Sequence, residues 1–130
     1  MMNLHDIPGT HRTWVQLGAY AAATDHGFVD VVFRAPFDCN LHTITAYFGA
    51  EVVGEGTAGD YFTYVVKGGT VAIGTAGPDT TIASRTAFEV FAGTRSLSEN
   101  DLINLTYGTA AGTAGINAPR ALLELQFKAR

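Results

Sequence analysis

Between Phe28 and Phe48 the chain reads FVDVVFRAPFDCNLHTITAYF, and apolar and polar residues alternate along most of it. In the first half, Val29, Val31 and Phe33 fall on one face and Asp30 and Arg34 on the other. In the second half, Ile44, Ala46 and Phe48 share a face with His42 at the start of the row, and Thr43, Thr45 and Tyr47 take the opposite face. A period of two is the signature of half-buried strands, because successive side chains on extended backbone point to opposite sides. The connection Ala35–Asn40 holds Pro36, which has no amide hydrogen to give to a ladder and belongs at a strand end or edge.

The same pattern recurs in both directions. Thr13–Ala23 alternates with Gly18 inside it, which favours a strand over the helix that Ala21–Ala23 would suit. Further runs follow at Asp60–Val66, with Phe62, Tyr64 and Val66 on one face, and at Val71–Ile73. Thr80–Phe91 comes next, with a break near Ser84, and Gly93 punctuates after it. Leu102–Tyr107 places Ile103, Leu105 and Tyr107 together. Ala121–Phe127 sets Ala121, Leu123, Leu125 and Phe127 inward, and Glu124, Gln126 and Lys128 outward. Turn residues separate the runs, with loops at Glu51–Asp60 and Gly108–Pro119. About eight short strands with no convincing helix predict an all-β fold, an antiparallel β-sandwich of jelly-roll-like form. Residues 1–12 read as an N-terminal arm, and 13–130 as a single sandwich domain.

Charged residues make up only 15% of the chain and hydrophobic ones 47%, a balance expected of a β protein that hides surface against neighbours. The net charge is −4, with Lys67 and Lys128 the only lysines and the arginines scattered. Nucleic-acid binding needs a cluster of cations and is not expected. No stretch is long and apolar enough to predict a membrane span, and the N-terminus lacks the pattern of a secretory signal. The expectation is a protein made and used in a soluble phase.

Catalytic patterns are sparse. Cys39 and His42 are the closest nucleophile-and-base pair, but residues three apart on a strand tend to opposite faces, and Asp38 disfavours a thiolate. His5, His11, His26 and His42 lack metal-ligand spacing. Glu51, Glu55 and Asp60 sit in a Gly-rich loop without the order of a calcium-binding loop, and Glu89 and Asp101 pair with nothing in sequence. Neither an enzyme nor a cofactor is expected. Trp14, Tyr47, Tyr61 and Tyr64 are aromatics that can line a sugar-binding face or cement a sheet. Trp14 and Tyr20 are also candidate partner anchors, joined by Leu4, His5 and Ile7 of the arm.

The segments FRAPFDCNLHTITAYFGAEVVG, LSENDLINLTYG and GINAPRALLELQF resemble small β-rich virion structural proteins of tailed bacteriophages, many of them in phages of actinobacteria. The resemblance spans Phe28 to Phe127, and its motifs are turns and strand patterns. The Gly of the family's Gly-Asp-x-Leu turn is missing from Glu99-Asn100-Asp101-Leu102. Such proteins serve as capsid decoration (cement) proteins, head fibres or minor tail components. The resemblance therefore implies a decoration protein, typically a homotrimer, that binds the major capsid protein on the outer capsid surface of the virion after assembly in the host cytoplasm. A carbohydrate- or receptor-binding module of a tail or fibre is the alternative.

Overall fold

The computed structural model describes residues 9–20, 29–52, 61–69, 71–76, 82–110 and 118–130, without the side chains of 29, 61–63, 76 and 107–110. Eight strands form: β1 (His11–Leu17), β2 (Val29–Arg34), β3 (Cys39–Phe48), β4 (Tyr61–Gly68), β5 (Val71–Ala76), β6 (Ala87–Leu97), β7 (Leu102–Ala110) and β8 (Ala121–Ala129). They build two antiparallel four-stranded sheets, ordered β1-β8-β3-β6 and β2-β7-β4-β5. The pairs β1·β8, β2·β7, β3·β6 and β4·β5 are those of one long hairpin folded back at the β4–β5 turn. Successive pairs alternate between the sheets, which is the winding of a jelly roll.

Alternation decides which side of each strand enters the core. Val15, Leu123 and Ala46 form one inward row across β1, β8 and β3, and Leu17, Ala121 and Phe48 form the next. From the second sheet come Tyr64, Val66, Ile103 and Leu105. Phe48 and Tyr64 stack across the gap with ring centroids 6.4 Å apart and planes 8° from parallel. Burying each such side chain stabilises the fold by about 1.5–3 kcal/mol. Gly69, with φ +65°, turns the chain from β4 into β5.

The β2–β3 connection, Ala35–Asp38, carries the chain from the second sheet to the first. It is held by the β6–β7 turn. Ala35 N–H donates to the Asp101 carbonyl, Asn100 N–H to the Ala35 carbonyl, and Glu99 N–H to the Asp38 carboxylate. The left-handed position of that turn is Asn100, φ +75°, a residue type that tolerates this conformation. Arg130 adds a clamp, donating to the carbonyls of Leu97 and Cys39.

Several expectations change. Val29, Val31 and Phe33 do not share one face, because Val32 is an extra residue in β2 opposite β7. The bulge puts Val31 outside and both Val32 and Phe33 inside. His42 does not start the row of Ile44, since it is a bulged residue and Leu41 holds the inward place. Gly93 does not end a strand. It lies inside β6 with φ +153°, where the β3 pairing skips, and β6 runs on to Leu97. The break near Ser84 is present as a turn, with β6 starting at Ala87 and Val52 bridging Ile82 before it. The first strand already includes His11 and Arg12.

Candidate functional site

Each sheet turns one face to the core and one to solvent, and the solvent faces carry different side chains. On the first sheet, Trp14, Glu124 and Thr45 are direct cross-strand partners on β1, β8 and β3, and Thr45 meets Glu89 of β6. The next row outward is Gln16, Leu122, Tyr47 and Ala87. Trp14 is 51% exposed and lies 6.3 Å from Tyr47, ring to ring, at 40°. On the same face Glu124 is only 7% exposed, although it is on the outward side of its strand. Gln126 Nε2 donates to Glu124 Oε1 at 2.6 Å. One row further on, Thr43 Oγ1 is buried without a hydrogen-bond partner among the described residues.

On the second sheet a single outward row crosses all four strands as Val31, Asn104, Lys67 and Ala72. Arg34 and Leu102 pair in the neighbouring outward row, and Val65 lies in the row on the other side. Val31 is 58% exposed, and Leu102 and Ala72 are exposed as well. Asn104 Nδ2 donates to the Gly69 carbonyl, and Arg34 Nη2 donates to Asn100 Oδ1. Among the described residues of these outward rows, the charged side chains are Arg34 and Lys67, both cationic.

At one end of the sandwich Gly68, Gly69, Arg95, Leu97, Asp101 and Leu102 line an open cleft of about 160 Å³. Gly68 makes room for the Arg95 guanidinium, since a Cβ there would lie 3.2 Å from Arg95 Nη2. Asp101 is occupied locally, accepting the Ser98 N–H.

The expected contact residues separate. Trp14 is at the surface. Tyr20 is buried, bridges Ala118 through its backbone and donates its hydroxyl to the Asp30 carboxylate. It therefore serves the interior of the fold and does not present its ring to a partner. Leu4, His5 and Ile7 lie outside the described residues, as do His26, Glu55 and Asp60. Of the aromatics considered for a sugar face, Tyr64 is fully buried on Phe48, Tyr47 is half-buried beside Trp14, and the Tyr61 side chain is outside the described set.

Cys39 and His42 are not a pair. Cys39 has no exposed surface. Burial pushes its thiol pKa up, with Arg130 opposing and Asp38 and Asp101 adding to the rise. His42 sits on its bulge with Nδ1 3.3 Å from the Gly93 carbonyl. His11 packs between Phe37 and Phe127, with ring centroids 5.9 and 5.5 Å away. Among the described residues, no three His, Cys, Asp or Glu side chains gather where they can hold a metal ion. Glu124 was legible in the sequence as an outward polar residue. That it is nearly buried there was not, because the neighbours on that face come from other strands.

No protein-family model matches the chain, and no curated protein matches it.

Proposed function

We propose that this chain is a bacteriophage virion structural protein, a capsid decoration protein that binds the outside of the major capsid shell and stabilises it. Two things support the reading. The first is the resemblance of Phe28–Phe127 to small virion proteins of tailed phages. The second, which carries it, is the outer face of the second sheet. There Val31, Val65, Ala72 and Leu102 share the outward face of one four-stranded sheet with Arg34 and Lys67. Apolar side chains interspersed with two cations suit a protein surface that is itself apolar and carries acidic groups. Chemical catalysis has no part in this function. Cementing a shell requires a rigid block and adhesive area. The resemblance also implies a homotrimer, which sedimentation in solution measures directly.

The test is reconstitution. Purified protein added to undecorated capsids at micromolar concentration is expected to bind and to raise their melting temperature. Val31→Asp together with Leu102→Asp is expected to abolish that binding while the free protein keeps its fold. Wild-type protein that leaves the capsids bare would sink the reading. Binding is also expected to weaken as salt is raised, since Arg34 and Lys67 steer an acidic partner.

A further inference from the structure

We propose that the cleft at the end of the sandwich, built around Arg95, is a binding site for a single carboxylate group. The proposal is independent of the capsid reading.

Arg95 is oddly placed for a cation. It stands directly across from Leu41 in the β3·β6 ladder, and direct cross-strand partners share a face of the sheet. Leu41 has no exposed surface, so the Arg95 side chain leaves β6 on the core side and crosses the gap to Gly68 of β4 in the other sheet. A Cβ at Gly68 would lie 3.2 Å from Nη2, 3.4 Å from Nε and 3.6 Å from Cζ. The guanidinium therefore occupies the space that a side chain there would take. Its Nε is buried without a hydrogen-bond partner. Among the described residues the guanidinium has neither a hydrogen bond nor an ion pair. Two other arginines show the usual state: Arg130 donates to the carbonyls of Leu97 and Cys39, and Arg34 donates to Asn100. Water can serve the outer nitrogens of Arg95 but not Nε, so the cation is partly dried without an anion to offset the loss. A cation in that state attracts an anion more strongly than one in open water.

The walls narrow the ligand. With Nε closed, Nη1 and Nη2 are the donors left for a ligand, and they form an end-on fork that matches the two oxygens of a carboxylate. Leu97 and Leu102 supply apolar flanks. Asp101 lines the cleft too, with its carboxylate accepting the Ser98 N–H and forming no ion pair with Arg95. That negative charge opposes a second one nearby, so a monoanion fits and a phosphate dianion does not. The volume of about 160 Å³ exceeds several-fold what one water needs. The carboxylate can come from a free small acid or from a Glu or Asp side chain of a peptide, since the group that meets Arg95 is the same.

NMR of the full chain tests this. Sodium chloride is replaced stepwise, at constant ionic strength, by sodium acetate or by the blocked tripeptide acetyl-Gly-Glu-Gly-amide, up to about 50 mM, a range that detects millimolar binding. Inorganic phosphate is the dianion control. At least one of the two carboxylates is expected to shift the backbone amides of Gly69 and Leu102 saturably, together with the Arg95 Nε–H. R95M is expected to bind at least about tenfold more weakly. Without ligand it should melt at or above wild type, because methionine keeps the packing of the stem and removes the unpaired charge. Tighter binding of the peptide assigns the site to an acidic side chain of a partner, and acetate binding as tightly or more so assigns it to a free acid. Either order supports the site. The proposal is overturned if neither carboxylate shifts these amides, if phosphate binds more tightly than both, or if R95M binds as wild type. A melting temperature of R95M several degrees below wild type would make Arg95 a structural clamp and also overturn it.

Discussion

At Cys39 the thiol is enclosed, and burial raises its pKa above the ordinary value of 9.0. Two outcomes follow. Iodoacetamide at pH 8 is expected to leave the native protein unlabelled and to label it fully in denaturant, read by mass spectrometry. The second is linkage. Well below pH 9.0 the thiol is protonated in both states and adds no pH dependence. Above it the unfolded chain loses the proton first, so stability falls as pH rises until the folded thiol also titrates. The urea midpoint of wild type is therefore expected to drop more between pH 8 and pH 10 than that of Cys39→Ala. Gly93 carries a different constraint. Its φ of +153° is open to glycine and strained for other residues. A Cβ there would meet Phe91 at an ordinary 3.7 Å, so the penalty of Gly93→Ala is conformational and not steric. We expect a loss of about 1–3 kcal/mol in urea unfolding. Gly74→Ala, whose Cβ would meet the same ring at 3.5 Å without an unusual φ, is expected to cost far less.

Among the elements, β8 was the most legible. Its run ALLELQF pairs with β1 on one side and β3 on the other, and every inward residue read from the sequence is buried, with Leu122 and the nearly buried Glu124 the departures on its outward side. The second strand was read only halfway. Alternation sets Val31 on the face of Phe33, but pairing with β7 makes Val32 the extra residue and turns Val31 out. A bulge is a mismatch between two strands, so neither strand's sequence records it alone. His42 and Gly93 mark the same kind of event, where β3 meets β6. Packing between sheets is the other property of elements that a single run conceals. Tyr64 and Trp14 are both aromatics on strands, yet one is locked under Phe48 and the other stands half in water. Phe48→Ala is expected to cost about 3–5 kcal/mol by emptying the centre of the core. Trp14→Ala is expected to cost about 1 kcal/mol or less, mainly the lost contact with Tyr47. Chemical denaturation of the two variants under one condition separates them.

For the whole molecule, the long-hairpin winding joins the first strand to the last, so β1 cannot complete its ladder until β8 is in place. Loop-closure entropy must be met before most ladders form, and refolding is expected on the millisecond-to-second scale of non-local β folds, measurable by stopped-flow tryptophan fluorescence. The same winding gives the molecule two unlike faces. One, at Val31, Leu102, Arg34 and Lys67, is apolar and cationic, and the other carries the half-exposed Trp14 beside Tyr47 and the nearly buried Glu124.

The all-β class, the approximate number of strands and most of the inward residues were determined by the amino-acid sequence alone, because alternation and turn residues act within a few positions of each other. Which strands are neighbours, where the bulges fall, that Tyr20 goes inside and Trp14 stays out, and that Glu124 is nearly buried on an outward face were decided only by tertiary structure. Each of those depends on residues from distant strands meeting across a ladder or a sheet gap, and no local pattern carries that distance.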